Sequence, residues 1–199
     1  MTGPLDRVAM NGSEPVPGTP MLTFGYGART LREVLHLLEA EDIQFLVDVR
    51  SVPWSRYQPD FSQNNLVGSL REHGIRYLFM GTELGGRPDD PDCYDAEGRV
   101  DYHACERRLI FRKGIDRLIA AAAAGHRIAI MCSEGRPEDC HRTKLVSRVL
   151  VDAGVNVRHL DERGTLCSHD EILDRLHGPQ LALIDDDVIM KSRGRYRAA

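Results

Sequence analysis

The chain reads as an α/β protein: a single three-layer domain built on a mainly parallel sheet of about five strands, with helices on both faces. Three observations predict this class. Strand-like runs alternate with amphipathic helical stretches across residues 21–178. The runs Ile43–Val49 and Ile128–Met131 are nearly continuous in apolar side chains, as strands covered on both faces must be. Most connections are short, which suits right-handed strand–helix–strand crossovers.

The elements follow in order. Met21–Phe24 is a strand ended by Gly25-Tyr26-Gly27, and Thr30 caps a helix whose stripe is Leu31, Val34, Leu35 and Leu38. Ile43–Val49 is the second strand. Ser62 opens a helix carrying Leu66 and Leu70, and Gly74 ends it before a third strand, Ile75–Phe79. Met80 to Tyr102 is a long loop rich in Gly, Pro and Asp, read as a lid or mobile insertion. One helix is expected from Cys105 to Ala124, a fourth strand over Arg127–Met131, a helix from Pro137 to Ala153 and a fifth strand over Val155–Leu160. Ser168 caps a last helix to about Leu176.

At 199 residues the chain suits one domain with extensions at both ends. Residues 1–20 hold four prolines and three glycines with few large apolar side chains, and are expected to be a disordered lead-in. Residues 179–199 are an extension ending in a basic tail, Lys191, Arg193, Arg195 and Arg197, expected to fray. A net charge of −4 gives no global attraction to nucleic acid or anionic lipid, so any basic character must be local. No run of about 18 apolar residues is present, and no membrane association is expected. The first residues lack the apolar core of a secretory signal, and five cysteines at irregular spacing fit no disulfide framework. A reducing cytoplasm is the expected compartment. The sequence does not indicate an oligomeric state.

The segment Cys132-Ser133-Glu134-Gly135-Arg136-Pro137-Glu138-Asp139-Cys140-His141-Arg142 joins a buried strand to a helix start, the place where open α/β sheets bind ligands. Loops after the other strands bring Asp48, Arg50, Ser55 and Arg56, and then Gly85, Gly86 and Arg87, to the same rim. Together with Arg136 and Arg142 they predict an anion-binding crevice, because guanidinium forks match phosphate and carboxylate. Within a continuous helix, Arg142, Val146, Val149 and Ala153 share the sheet-facing stripe. Cys140 falls with Lys144, Ser147 and Val151 on the solvent side. Arg142 therefore needs a partner, either a ligand anion or the carboxylate of Asp48 or Glu134.

Cys132 is the candidate nucleophile, with His141 and Glu134 moving protons. The alternative for Cys132 is a small apolar side chain that ends a core strand. Cysteine-dependent phosphatases place an arginine six residues after the cysteine; here that position is Glu138. A metal site would draw on Cys132, Cys140 and His141, with Cys105, His103, Cys93 or His159 as a fourth ligand. No C-x-x-C or H-x-x-x-H pair supports it, so neither a metal nor any other cofactor is expected.

The ordered blocks Thr23-Phe24-Gly25-Tyr26, Asp48-Val49-Arg50, Leu84-Gly85-Gly86-Arg87, Cys132-Ser133-Glu134 and Cys140-His141-Arg142 resemble those of the domain of unknown function 488 family, over about residues 22–160. The resemblance implies a compact α/β domain with these blocks as its signature, and it transfers no reaction. The expected function is a cysteine-dependent hydrolase or transferase acting on a small anionic or phosphate-bearing ligand. The alternative is a nucleotide or nucleic-acid binding module, with Trp54 or Tyr57 stacking on a base. Metal binding is the second alternative.

Overall fold

The computed structural model describes residues 18–181 and 190–196. The expected lead-in therefore lies almost wholly outside the described residues. The chain begins with β1 (Met21–Gly25), α1 (Leu31–Ala40), β2 (Phe45–Asp48), α2 (Gln63–Glu72), β3 (Arg76–Phe79) and α3 (Gly81–Leu84). It continues through β4 (Arg99–Asp101), α4 (Tyr102–Arg107), α5 (Leu109–Ala123), β5 (Ile128–Cys132) and α6 (Arg148–Asp152). Last come β6 (Val157–Leu160), β7 (Leu166–Ser168), α7 (His169–Leu181) and β8 (Lys191–Arg195).

The central sheet has strand order β3-β2-β5-β1-β6-β7. Its first five strands are parallel, and β7 runs antiparallel to β6. From β1 through β2 to β3 the chain steps one way across the sheet. From β3 to β5 to β6 it steps back. With crossovers of one hand, the two directions put their helices on opposite faces, and the side chains agree. Val34, Leu38, Leu66 and Leu70 of α1 and α2 pack on Leu22, Phe24, Leu46 and Met131. Phe111, Ile115, Leu118 and Leu150 pack on the other face with Val47, Ile130 and Cys132. Three layers and helices on both faces are as predicted.

Four helices hand the chain to the next strand through one motif. After α2 the Ile75 N–H reaches the Leu70 carbonyl and the Gly74 N–H the Arg71 carbonyl, with Gly74 at φ +72°. This is the Schellman ending, which needs a left-handed residue. The same pair of bonds closes α1 at Asp42 and Ile43, α5 at Gly125 and His126, and α6 at Gly154 and Val155. At the start of α1, Thr30 caps the helix as expected, and Glu33 completes a capping box with it. Ser62 opens α2 in position only; its hydroxyl accepts the Ser55 N–H at 3.1 Å.

Five expectations are corrected. The single helix from Cys105 is two helices, because Asp101 caps α4 and Arg108 leaves the helical region at ψ 132°. The loop from Met80 to Tyr102 is anchored rather than open: α3, a 3₁₀ turn at Pro91–Cys93 and β4 lie within it, and Leu84, Cys93 and Val100 are buried. The helix from Pro137 is broken into a 3₁₀ turn at Pro137–Asp139, a π-helical turn at Arg142–Ser147 and α6. The last helix runs five residues past Leu176. Lys191, Arg193 and Arg195 of the basic tail lie in β8, antiparallel to β4 with Arg99 opposite Arg195 and Asp101 opposite Lys191, and Arg197 lies outside the described residues. Lys191 pairs with Asp95 at 3.0 Å, and the Ser192 hydroxyl accepts the Val100 N–H at 2.9 Å. No described helix is long and apolar enough to cross a membrane.

Candidate functional site

β5 lies between β2 and β1, whose following helices cover the face opposite to the segment after β5. Crevices therefore open at the carboxyl end of β5, the usual ligand position in such sheets. The ladder between β2 and β5 ends with the Val49 N–H on the Met131 carbonyl at 3.1 Å. The next rung, from the Ser133 N–H to the Val49 carbonyl, is not made. His141 Nε2 takes that carbonyl instead, at 3.0 Å. A carbonyl only accepts, so Nε2 carries a proton and the ring turns Nδ1 inward. Nδ1 faces two sulfurs almost equally, Cys132 Sγ at 3.8 Å and Cys140 Sγ at 3.7 Å.

Both cysteines are buried, and all five cysteines of the chain are unpaired thiols. Cys140 is thus not on the solvent side. The 3₁₀ turn and the π-helical turn re-phase the segment, so the stripes drawn for a continuous helix fail on both sides of Arg142, and Cys140, Lys144 and Ser147 are all buried. Extra residues inserted into a helix in this way are frequent at functional sites. The hydrogen bond from Cys140, then the charges of His141 and Arg142, hold the Cys132 thiol well below the ordinary range against its burial. Burial and the neighbouring Cys132 sulfur push Cys140 up.

Arg142 has no exposed surface and lies on the sheet side, as predicted, but its partners are not carboxylates. Its guanidinium donates to the backbone carbonyls of Glu134 and Gly135, the latter at 3.2 Å, and Nε has no partner among the described residues. The carbonyls of Cys132 and Ser133 accept from Tyr26 and Gly27 at 3.0 and 3.1 Å. Four successive carbonyls of the loop are thereby occupied on the β1 and Arg142 side. Gly25 makes this approach feasible, because a Cβ there would lie 1.6 Å from the Glu134 carbonyl oxygen.

The cluster opens into a cavity of about 390 Å³ lined by Tyr26, Arg50, Ser51, Trp54, Gly86 and Arg87 together with Cys132, Ser133, Glu134, Cys140 and His141. Gly86 lies flat against the imidazole; a Cβ there would meet His141 Cγ at 2.6 Å. Arg50 is buried and held by Asp48 at 2.6 Å, with Tyr77 donating to the same carboxylate at 2.7 Å. Burial pulls Arg50 down, but the Asp48 hydrogen bonds and charge hold it above its ordinary value. Among the described residues its Nη1 meets only the Tyr26 hydroxyl, at 3.4 Å. Arg87 stacks on the Tyr196 ring, 4.0 Å from the ring centre.

The predicted residues divide. Arg50, Gly86, Arg87, Cys132, Glu134 and His141 meet at the cavity. Asp48 stands behind Arg50, and Arg142 stands behind the loop. Ser55 lies in a turn, its hydroxyl accepting the Gln58 N–H at 3.3 Å, and Gly85 packs on Ser51; neither lines the cavity. Arg56 is exposed and away from the cavity, and Arg136 is committed to Glu138 at 2.8 Å and Asp139 at 3.6 Å. Glu134 is exposed at the edge, its carboxylate accepting the Arg136 N–H at 3.3 Å. Sequence reasoning missed Ser192, Arg193, Gly194 and Tyr196, which form one wall. Their signal was the period-two alternation of basic with small residues in Lys-Ser-Arg-Gly-Arg, the pattern of a charged edge strand.

Fold and site define an α/β domain with a sulfur–imidazole cluster at the switch point of a parallel sheet. The chain belongs to the family described as domain of unknown function DUF488, whose model matches residues 30–149. The match spans both cysteines, His141 and the Leu-Gly-Gly-Arg block, whereas Tyr26 and the β8 wall lie outside it. No curated protein and no solved structure matches the chain.

Proposed function

We propose that the chain is a hydrolase or transferase that takes a small anionic or phosphate-bearing substrate into this cavity and reacts it over the Cys132–Cys140–His141 cluster. The observation that carries the reading is the meeting of that cluster with uncommitted positive charge in one concave space. Arg87 on the wall and Arg142 behind the floor make no ion pair with a carboxylate among the described residues, and Nη1 of Arg50 has only a long contact to Tyr26. Arg50 and Arg87 hold the anion, Arg142 fixes the loop, and Glu134 at the edge moves a proton. Arg56 and Arg136 take no part. Five unpaired cysteines suit a reducing, cytoplasmic setting.

The test is thermal unfolding and calorimetry with inorganic phosphate, followed by turnover of aryl phosphates and aryl esters by wild type and Arg87→Ala. Phosphate at about 100 times its Kd adds about 2.7 kcal/mol of stability. Arg87→Ala should weaken binding by roughly 10-fold, the loss of one charge-assisted contact of about 1.4 kcal/mol. An unfolding temperature unmoved by any anion would sink the reading.

A second reading rests on two exposed aromatic residues, Trp54 and Tyr57, the first of which lines the cavity. Trp54 is 63% and Tyr57 90% exposed, with Arg56 between them in sequence and Trp54 lining the cavity. Such a group suits a nucleotide or single strand stacked without chemistry. Binding of oligonucleotides that falls steeply with salt and is lost in Trp54→Ala would favour it over the enzyme.

A further inference from the structure

We propose that Cys132, Cys140 and His141 are the three protein ligands of a borderline divalent metal ion, zinc foremost, whose fourth position faces the cavity. The inference rests on the cavity being the reactive site and names the centre that does the chemistry.

The geometry carries it. Cys132 Sγ, Cys140 Sγ and His141 Nδ1 lie within 4.8 Å of one another, with the sulfur–nitrogen separations at 3.8 and 3.7 Å. A tetrahedral zinc ion with bonds of about 2.3 Å to sulfur and about 2.1 Å to nitrogen sets its ligands roughly 3.6–3.8 Å apart. The imidazole is positioned for coordination: Nε2–H is anchored on the Val49 carbonyl, and Nδ1, the nitrogen that would ligate, faces the sulfurs. Metal-ligating histidines almost always carry this outer hydrogen bond. The Arg142 N–H donates to Cys140 Sγ at 3.4 Å, and the buried guanidinium of Arg142, with no carboxylate partner, balances two thiolates.

This arrangement gives Cys140 a role that a nucleophile assisted by one histidine does not. A thiol–imidazole pair needs one sulfur, yet Nδ1 sits between two, and both are buried. It also corrects the fourth ligands read from the sequence. Cys93, His103, Cys105 and His159 do not join the cluster, so among the described residues the site has three protein ligands and stops. Three ligands with an open position is the pattern of catalytic rather than structural zinc. Bound there, such an ion would supply a Lewis acid and would lower the pKa of a water in its open position to about 7. Glu134, two residues after Cys132, lines the edge of the same cavity.

The test uses the full chain, reduced and freed of metal with a chelator, then titrated with Co²⁺ alone and with Zn²⁺ alone. One equivalent of cobalt should produce thiolate-to-metal charge-transfer absorption and tetrahedral d–d bands, and one equivalent of zinc should erase them. Cys132→Ser, Cys140→Ser and His141→Ala should each weaken metal binding by at least about 100-fold, more than an outer-shell change does. Cys93→Ser and Cys105→Ser should bind as wild type does, and circular dichroism verifies that each variant is folded. Reduced, folded wild type that gives no charge-transfer band overturns the proposal, as does full binding by folded Cys140→Ser. If metal fails to bind while phosphate still stabilises the chain and turnover persists, the metal falls and the enzyme stands. If metal binds and no anion does, the substrate reading falls and the metal stands.

Discussion

Replacing Gly86 by alanine places one methyl group against the ring that organises the cluster. The new Cβ would lie 2.6 Å from His141 Cγ, 2.8 Å from Nδ1 and 2.9 Å from Cβ. Ordinary carbon contacts need about 3.5 Å, so ring and loop must separate by close to 1 Å. The ring is held by its 3.0 Å bond to Val49, and a shift of that size breaks it. The lost hydrogen bond costs about 1 kcal/mol and the overpacking a further 1–3 kcal/mol. For a chain of this length, 2–4 kcal/mol lowers the midpoint of thermal unfolding by roughly 5–15 °C. Gly68 in α2 is the control, since a Cβ there meets nothing within 4 Å. Gly68→Ala should stabilise the chain by about 0.5–1 kcal/mol through helix propensity. Differential scanning calorimetry of the two variants decides the matter. A Gly86→Ala protein that melts with the wild type would refute the argument that this glycine seats His141.

Three further outcomes are expected. Asp48→Asn leaves Arg50 buried without its counter-charge and should cost about 3–5 kcal/mol in urea unfolding; adding Arg50→Met should recover part of that loss, and strict additivity would show the pair to be uncoupled. His159 is fully buried between Thr23 and His169, and burial, with the charges of His169 and Arg142, pushes its imidazole down to about 3. Between that value and the unfolded value of about 6.5 the unfolded chain binds the extra proton, so lowering the pH through this window removes about 1.4 kcal/mol of stability per unit. Urea midpoints that stay level from pH 6.5 to 5 would contradict this. Gly25→Ala drives a methyl group into the Glu134 carbonyl and should cost at least about 3 kcal/mol, read as loss of soluble protein or of cooperative unfolding; a folded, stable variant would mean that the loop does not approach β1 as described.

The fold was readable because its determinants are local. Continuous apolar runs mark β2 and β5, Thr30 marks the start of α1, and Gly74 marks a helix end where a left-handed residue is required. The site was readable in its blocks but not in its geometry. Arg142 was assigned to the sheet side correctly, but the rest of its stripe was not: the π-helical turn that starts at this residue buries Lys144 and Ser147 and leaves Ala153 exposed. Cys140 was misassigned because the 3₁₀ and π-helical turns on either side of it shift the phase of the segment, and no three- or four-residue spacing reveals such a shift. β8 escaped notice for a different reason. Its apolar content is nil, and it is held by Asp95, Asp139 and β4, partners about 50 to 100 residues away whose charges say nothing locally about pairing.

The lining of the cavity runs from Tyr26, just after the first strand of the sheet, to Tyr196, just after β8. Between them it draws on the loops after β2, α3 and β5, so no local segment of the chain contains the binding surface. Occupancy and global folding are therefore linked equilibria. A ligand that binds only when all of these walls are assembled raises the free energy of every opening that separates them, at whichever wall it begins. Slow amide exchange at Gly25 or Val100 would then report on a molecule bound near Cys132 without touching either residue. In this chain the affinity of the cavity and the cohesion of the whole domain are one quantity measured from two sides.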